Sequence, residues 1–510
     1  MNLKKSQSIL KATVLVSIIV IASKILGFIR EAIIASYYGA NSETDAFFVA
    51  QSMPAMVFPA VCSSFSTAFI SLYINKTINN SKRESDQFAS KAMVASLGIS
   101  ISLSILAVII APDIVPLLVP GFNNDTLSLA IFLTRLVMAA FFLTMVQYML
   151  SAILNSRKLF YASQVSGLLS NILIILITIG LGRNQGIELL TITFLIGNLI
   201  QVLVLMYWTK KNQFSLTLKI NPFDKDVKNI FVLALPILLG NSIIQLNNIV
   251  DKALASKLSE GAVSALSYSG SINSMIISIF ITSLSTVLYP TLAEDFSKGK
   301  VESFSKSLVN SLLVLTMILL PLSLIVMRNS SNIVTVVFGR GSFNAAAISL
   351  TSSALTYYSL SYVFYAIREV IIRGFYAIQD TKTPMLNGAL GVFLNIIFSL
   401  MFVKYLGISG IALGTTISAI VSAILMLVSL KKKIPSIRTT SLLPSLLKFI
   451  FASMGMLLAM TIFSKYFIIS NTFVSLVLVS IFGLLTYIII LILLKCEQIT
   501  FFIKKLKLRA

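Results

Sequence analysis

Long apolar segments alternate with short polar breaks along almost the whole chain. A membrane-spanning helix needs about 20 mostly apolar residues, and runs of this kind predict about 14 spans. Their approximate ranges are 12–37, 45–75, 90–111, 127–154, 161–182, 188–208, 230–256, 261–293, 305–327, 345–375, 384–404, 409–430, 446–464 and 472–494. The pattern predicts an all-α, polytopic membrane protein with about 14 transmembrane helices.

The composition agrees with this pattern. Hydrophobic residues make up 57% of the 510 residues and charged residues only 11%. A soluble domain carries roughly 25% charged residues, so the chain is not a soluble globular protein. Its high hydrophobicity also excludes intrinsic disorder.

The basic residues are distributed unevenly between the two sides of the predicted membrane. The chain has 40 Lys and Arg against 18 Asp and Glu, a formal net charge of +22. Alternate loops and the ends of their helices hold 29 of the basic residues, the opposite loops hold 6, and five lie inside spans. Because cytoplasmic loops are enriched in Lys and Arg, we predict cytoplasmic termini and an even number of helices.

The residues that the sequence lacks exclude several kinds of site. Histidine is absent, which removes histidine-based acid–base chemistry and histidine metal ligands. The two cysteines, Cys62 and Cys496, have no metal-binding spacing, and no G-x-x-x-x-G-K-[ST] phosphate loop is present. We therefore expect that the chain is not an enzyme and binds no cofactor. Because a nucleotide-binding motif is missing, we expect an ion gradient or the membrane potential to drive transport.

Two halves of the sequence resemble each other. Residues 31–36 (EAIIAS) resemble 251–256 (DKALAS) at an offset of 220, and Asn171 matches Asn395 at an offset of 224. Six spans separate equivalent positions, and an even number preserves orientation, so the sequence predicts parallel repeats related by an axis along the membrane normal. Two six-helix lobes around a central cavity form a transporter architecture with alternating access.

The repeat also predicts the domain boundaries. We expect an N-terminal lobe over 1–215, a C-terminal lobe over 216–440, and two further helices with a basic cytoplasmic tail over 441–510.

Charged residues inside spans are costly in lipid and mark candidate sites. The first span carries Lys24, Arg30 and Glu31, and Asp45 opens the second. One hypothesis is that Lys24 and Arg30 bind an anionic headgroup in the cavity, because the planar fork of arginine suits a diphosphate. The alternative is an ion-pair cluster of Arg30, Glu31 and Asp45 that shapes the turn between the two helices.

A second candidate site lies in the C-terminal half. Asp251 could coordinate a coupling cation, Na⁺ or H⁺, together with the oxygen-bearing side chains of Asn395, Ser399 and Thr415. The alternative is that Asp251 forms an ion pair with Lys252 or with a neighbouring helix.

Two blocks of sequence resemble one transporter family. The N-terminal block comprises SKILGFIRE at 23–31, YGA at 38–40 and TDAFFVA at 44–50; the second comprises RGFYA at 373–377 and QDTKTP at 379–384. These blocks resemble the MurJ/MviN family of lipid II flippases, within the multidrug/oligosaccharidyl-lipid/polysaccharide exporter superfamily. The resemblance implies that the chain flips the undecaprenyl-diphosphate-linked peptidoglycan precursor to the outer leaflet of the bacterial cytoplasmic membrane.

The resemblance also implies roles for individual residues. Lys24 and Arg30 stand where the family has essential cavity cations, and Glu31 and Asp45 fall on its acidic positions. The family's sodium site would match the set of Asp251, Asn395 and Thr415, with Ser399 where an acidic ligand is expected. The implied partners are the lipid-linked glycan and membrane lipids, with the chain as a monomer.

Two departures from the family pattern affect the substrate. Family members carry further cavity arginines, whereas residues 53–72 contain no Lys or Arg and residues 268–273 are uncharged. A cavity with fewer cations binds a diphosphate less strongly. The alternatives are therefore a flippase for another lipid-linked oligosaccharide, such as an exopolysaccharide or teichoic-type unit, and a drug or cation antiporter of the same superfamily.

Overall fold

The structure, a computed structural model, describes residues 3–182, 185–214, 225–437 and 442–499. All regular secondary structure within these ranges is helical. The helices are α1 (Leu3–Tyr38), α2 (Ser42–Asn79), α3 (Lys82–Leu118), α4 (Asn124–Ala139), α5 (Phe141–Ser156), α6 (Phe160–Leu181), α7 (Ile187–Lys211), α8 (Lys225–Ser256), α9 (Ala262–Ser297), α10 (Val301–Arg328), α11 (Ser330–Phe338), α12 (Ala345–Ser359), α13 (Tyr362–Ala377), α14 (Lys382–Leu406), α15 (Ile408–Lys433), α16 (Leu442–Tyr466) and α17 (Thr472–Leu493).

The predicted all-α membrane fold is confirmed. Each predicted span falls on one helix or on a consecutive pair of helices. Among the described residues, nine helical segments are long and apolar enough to cross a membrane: α3, α4 with α5, α6, α7, α10, α14, α15, α16 and α17. The total of about 14 spans stays a prediction, and the basic tail at 504–509 lies outside the described residues.

Two predicted spans are each broken into two helices. The span predicted at 127–154 divides at Ala140 into α4 and α5, and the span at 345–375 divides at Leu360 into α12 and α13. Side chains from other helices bind carbonyls near the second break: Ser323 donates to Ser359 O at 2.7 Å and Thr416 to Tyr357 O at 2.7 Å. A break inside a membrane is tolerated because such donors satisfy the backbone.

The backbone supports the internal repeat that the sequence predicts. The breaks at Ala140 and Leu360 lie 220 residues apart. The caps that start α4 and α12 are also equivalent, since Asn123 accepts from Thr126 N and Asn344 accepts from Ala347 N. The left-handed residues after α5 and α13 correspond as well: Lys158 at φ 64° and Gln379 at φ 61°.

Two glycines add a further match. Gly39 and Gly261 have φ values of 72° and 80°, a region that glycine enters at little cost. A Cβ atom on Gly39 would lie 2.6 Å from Ser342 O, and one on Gly261 would lie 2.5 Å from Ala40 O. Both positions therefore require glycine for space as well as for conformation.

The contacts divide the chain into two compact units. Unit 1 comprises Met1–Ser264 with Gly341–Phe343, and unit 2 comprises Ala265–Arg340 with Asn344–Ala510. In unit 1, α2 packs against α4, α5 and α8, and α6 packs against α1 and α7. In unit 2, α14 packs closely against α15, and α16 and α17 pack together and against α10. The lobe boundaries at 215 and 440 stay predictions.

A partly buried arginine joins the ends of several helices in unit 1. Arg157 follows α5 and forms an ion pair of 2.6 Å with Asp86 of α3. It also donates to the hydroxyl of Tyr73 at 3.0 Å and to Asn212 O at 3.0 Å, and it lies over the ring of Phe214. From the sequence, Arg157 counts only as one of the basic residues of a predicted cytoplasmic loop. In the structure it also holds neighbouring helices together through these contacts.

Unit 2 has an ion pair at the equivalent loop of the repeat, but here the loop residue is acidic and its helical partner is basic. Asp380 precedes α14 and pairs with Lys433 at the end of α15. Burial raises the pKa of Asp380, but hydrogen bonds from Lys433 and from the hydroxyl and N–H of Thr383 outweigh this effect and lower its pKa to about 2. The carboxylate therefore stays ionised throughout the neutral range.

Candidate functional site

Arg30 is held on three sides inside unit 1. In α1, its Nη2 donates to Glu31 Oε1 at 2.6 Å, and its Nη1 donates to Asn171 Oδ1 of α6 at 2.9 Å. The guanidinium lies 4.8 Å from the ring centroid of Phe194 in α7. Asn171 also donates to Ser23 O at 3.4 Å, which fixes the amide that holds the guanidinium. The arginine is therefore oriented by its neighbours.

The ion pair of Arg30 and Glu31 has two buried polar atoms without a hydrogen-bond partner among the described residues: Nε of Arg30 and Oε2 of Glu31. Side-chain exposure is 22% for Arg30 and 14% for Glu31. Buried polar groups are normally hydrogen-bonded. Nη1 and Nη2 of Arg30 already have acceptors and Nε has none, so the guanidinium can donate to one more acceptor.

Lys24 lies on the same helix, two turns before Glu31, and is exposed. Within the described parts of the chain it makes no hydrogen bond or ion pair, unlike Arg30. The structure thus separates the two predicted cations. Arg30 is a fixed group, and Lys24 is a free one on a long flexible stem.

Asp45 lies at the start of α2 and accepts hydrogen bonds from the beginning of α9. Its carboxylate accepts from Gly261 N at 2.9 Å, from Ser264 N at 2.7 Å and from Ser264 Oγ at 2.5 Å. The residue is 3% exposed. Its hydrogen bonds are made with α9 and not with Arg30, so of the ion-pair cluster considered from sequence only the pair of Arg30 and Glu31 forms.

Asp251 and Lys252 lie in α8 and have different surroundings. Asp251 is 7% exposed. Lys252 donates from Nζ to Phe48 O of α2 at 2.8 Å. The lysine is therefore engaged by the backbone of a neighbouring helix.

Asn395, Ser399 and Thr415 come together between α14 and α15. Asn395 Nδ2 donates to Thr415 Oγ1 at 2.9 Å, and Ser399 Oγ donates to Asn395 Oδ1 at 3.3 Å. Thr415 Oγ1 in turn donates to Ile411 O at 3.2 Å. All three side chains are buried. They offer the hard oxygen atoms that Na⁺ prefers, and hydrogen bonds already join these oxygens to one another.

The close approach of α14 and α15 explains this cluster. A Cβ atom on Gly414 would lie 2.6 Å from the backbone nitrogen of Ser399, and one on Gly410 would lie 2.3 Å from Phe402 O. Glycines spaced four apart let membrane helices approach closely. Asp251 belongs to unit 1 and this cluster to unit 2. Among the described residues, no group of three or more Cys, Asp or Glu could hold a metal ion.

The sequence did not single out two residues at the first site. Phe194 carried no signal in a chain with 34 phenylalanines. Asn171 was noticed only as the repeat equivalent of Asn395. Polar residues at equivalent places in two apolar helices were the available signal, because each needs a partner in the membrane.

Comparison with known proteins identifies relatives along almost the entire chain. The model of the lipid II flippase MurJ family matches residues 34–492. A probable lipid II flippase MurJ of Treponema pallidum (strain Nichols) is 26% identical over 453 residues, covering 86% of each chain. The corresponding protein of Vibrio cholerae (serotype O1, El Tor Inaba) is 27% identical over 434 residues, covering 82% of each.

Solved structures agree. The structure titled "Lipid II flippase MurJ, inward closed conformation" matches with a TM-score of 0.79 and 26% identity, covering 94% of this chain and 98% of that one. An inward-facing multidrug transporter of the MATE family matches with a TM-score of 0.71 at 16% identity, covering 82% and 96%, which shows a shared fold. With a family match over most of the residues and this structural agreement, the chain belongs to the lipid II flippase MurJ family.

Proposed function

We propose that this chain translocates lipid II from the cytoplasmic to the outer leaflet of the bacterial cytoplasmic membrane by alternating access. Family membership gives the substrate class. The observation that carries the proposal is Arg30, a membrane-embedded guanidinium that Glu31 and Asn171 orient while its Nε keeps a free donor. Charged groups inside spans mark substrate pathways.

The two cations suit different tasks. Arg30 is preorganised, so less side-chain entropy is lost when it binds a phosphate oxygen. Lys24 is exposed and mobile enough to follow a moving headgroup as a point charge. Glu31 keeps the local charge of the empty site low, because it neutralises Arg30 between transport cycles.

Asp45 has a different part in this proposal. It joins the start of α2 to the start of α9, at the end of the helices where few basic residues lie. By the positive-inside rule this end faces outward. We assign Asp45 to closing the outer end of the helices, and Lys24 and Arg30 to the headgroup.

We also propose coupling to a cation through Asp251 and the cluster of Asn395, Ser399 and Thr415. The support is the chemistry of the oxygen set and the burial of each member. Asp251→Asn is expected to abolish any dependence of transport on a Na⁺ or H⁺ gradient. Unchanged dependence on both ions would dismiss the assignment.

Rescue of a bacterium depleted of its own lipid II flippase tests the function. The wild-type chain is expected to restore growth and outer-leaflet lipid II. Arg30→Ala should insert normally and fail to rescue, because a lost charge-assisted hydrogen bond costs about 1.5–3 kcal/mol, roughly 10- to 100-fold in affinity. Lys404→Ala is the matched control, since Lys404 is exposed at the end of α14.

The rescue experiment tests the substrate and the role of Arg30 separately. A wild-type chain that inserts but restores no outer-leaflet lipid II would contradict the proposal and favour another lipid-linked glycan, as the uncharged stretches at 53–72 and 268–273 suggest. Rescue by Arg30→Ala would leave lipid II as the substrate and remove Arg30 from its site.

A reporter fused to the C-terminus tests the topology. With cytoplasmic termini, a cytoplasm-active reporter is active and a periplasm-active one is silent. The reverse pattern would invert the transport direction proposed here. Elution as a single chain in detergent would support the monomer.

A further inference from the structure

Two prolines inside membrane-spanning helices leave backbone carbonyls without their helical partners. Proline has no N–H, so the carbonyl four residues earlier loses its hydrogen bond and is pushed outward by the ring. Pro112 lies in α3 and Pro321 in α10. The affected carbonyls include those of Val108 and Met317, four residues before Pro112 and Pro321; Pro116, also in α3, affects the carbonyl of Pro112. In hydrocarbon no water can replace the missing donor.

The carbonyl of Met317 receives a hydrogen bond from a neighbouring helix. The hydroxyl of Tyr487 in α17 donates to Met317 O at 2.9 Å. Tyr487 is 3% exposed and Met317 is 8% exposed, so the bond lies in the interior of unit 2. The single donor of this tyrosine is thus directed at the one carbonyl that Pro321 frees in α10.

The carbonyl of Val108 also receives a hydrogen bond from a neighbouring helix, here from an arginine. Arg135 in α4 donates from Nε to Val108 O at 3.3 Å. Arg135 is the only charged residue in the span predicted at 127–154. The structure shows that its donor meets the carbonyl that Pro112 frees.

We propose that Tyr487 and Arg135 are positioning residues, each supplying from a neighbouring helix the hydrogen-bond donor that a proline removes and so fixing the bend of α10 or α3. The two helices are equivalent, since each is the third helix of its repeat. The repeats use different side chains and different proline positions, so the arrangement in one is independent evidence for the other.

This assignment gives α17 a role. The helix lies outside the predicted repeat of two times six, and it packs with α16 against α10. Tyr487 is its polar contact with the Pro321 bend. If α10 bends further or straightens, Met317 O moves away from the hydroxyl, so α17 favours one bend angle of α10.

A double-mutant cycle tests the tyrosine. Tyr487→Phe removes only the hydroxyl and is expected to lower the folded-to-unfolded ratio about three- to tenfold, the range of measured hydrogen bonds between membrane helices. In the Pro321→Ala background the same change should cost clearly less, because the restored N–H at position 321 already satisfies the carbonyl of Met317. An equal loss in both backgrounds would overturn the proposal. If Pro321→Ala does not fold, Pro321→Ser restores the same N–H.

Thr486→Ala is the control variant. Its hydroxyl donates within α17 to Phe482 O at 2.9 Å and should show no coupling to Pro321. To separate positioning from stability, nitroxide labels at Val301 and Arg328 report the end-to-end distance of α10, about 40 Å at 1.5 Å per residue. Tyr487→Phe should shift or broaden this distance, and Thr486→Ala should not. An unchanged distance in Tyr487→Phe would refute the positioning role.

Two replacements of Arg135 separate the donor from the charge. Arg135→Gln keeps an N–H donor without the charge and should retain most of the wild-type stability. Arg135→Met keeps the length without a donor and should lose stability, and this loss should vanish in the Pro112→Ala background. If Gln and Met behave alike, or if the loss is independent of Pro112, the arginine serves only as a surface charge and the proposal fails for α3. Unfolding needs no lipid II, so this result is independent of the transport assay.

Discussion

Replacement of Asp45 should destabilise the protein far more than replacement of its side-chain partner. The carboxylate accepts from two backbone N–H groups and one hydroxyl, at 2.9, 2.7 and 2.5 Å. In Asp45→Ala the N–H groups of Gly261 and Ser264 lose their acceptor in a region that is almost fully buried. The start of α9 also loses the negative charge that complements its dipole.

The magnitude follows from these contacts. Loss of a helix-capping side chain costs about 0.5–2 kcal/mol, and a buried unsatisfied donor costs about 1–3 kcal/mol. The cost of burying the carboxylate in the wild type offsets part of the sum. We expect a loss of about 2–3 kcal/mol for Asp45→Ala. Ser264→Ala removes the hydroxyl that bonds Asp45 Oδ1 and Thr44 Oγ1 but keeps both backbone bonds to Asp45, so about 1 kcal/mol is expected.

Equilibrium unfolding of the purified variants in mixed micelles measures both values. Asp45→Asn separates charge from shape, because its amide oxygen can accept while its NH₂ group opposes a second donor. It should therefore fall between wild type and Asp45→Ala. A loss in Asp45→Ala that is no larger than the loss in Ser264→Ala would refute the capping argument.

Three further variants test other contacts. Gly414→Ala should destabilise the α14–α15 pair by about 1–3 kcal/mol by overpacking, whereas Gly388→Ala on the same pair of helices meets nothing within 4 Å and should be neutral or slightly stabilising in thermal unfolding. Arg157→Gln should cost about 1.5–3 kcal/mol, since it removes a charge-assisted hydrogen bond to the buried carboxylate of Asp86, and the variant should still insert into the membrane. The pKa of Asp380 is lowered, so its pair with Lys433 stabilises the protein above about pH 4 and ceases to do so as the pH falls to about 2; the difference in stability between wild type and Asp380→Asn should shrink over that interval, and a constant difference would contradict it.

The sequence predicts the helices well because the membrane imposes a simple rule. Backbone groups in lipid must be satisfied within the segment, so an apolar run of sufficient length is a helix. The rule says nothing about where such a helix breaks. Neither Ala140 nor Leu360 is a helix-breaking residue, and the break at Leu360 depends on donors from Ser323 and Thr416 that lie far away in sequence. Propensity alone therefore predicted unbroken spans there.

The candidate site was likewise predicted from the sequence only in part. Arg30 and Glu31 were predicted because charges stand out in apolar helices. Asn171 and Phe194 were not, because their contacts with Arg30 join positions more than 140 residues apart in sequence. The sequence could also not tell whether Asp45 faces Arg30 or α9. A carboxylate at the start of a helix has the same pattern in either case, and only the position of Gly261 and Ser264 decides.

The broken helices have a consequence for how the chain enters the membrane. The halves Asn124–Ala139 and Phe141–Ser156 have 16 residues each and are about 24 Å long. The hydrocarbon core is about 30 Å thick, so neither half crosses it alone. The translocation machinery must therefore recognise and release the two halves as one continuous apolar segment. The break forms afterwards, when neighbouring helices such as α10 and α15 bring the donors that bind the carbonyls beside the break at Leu360.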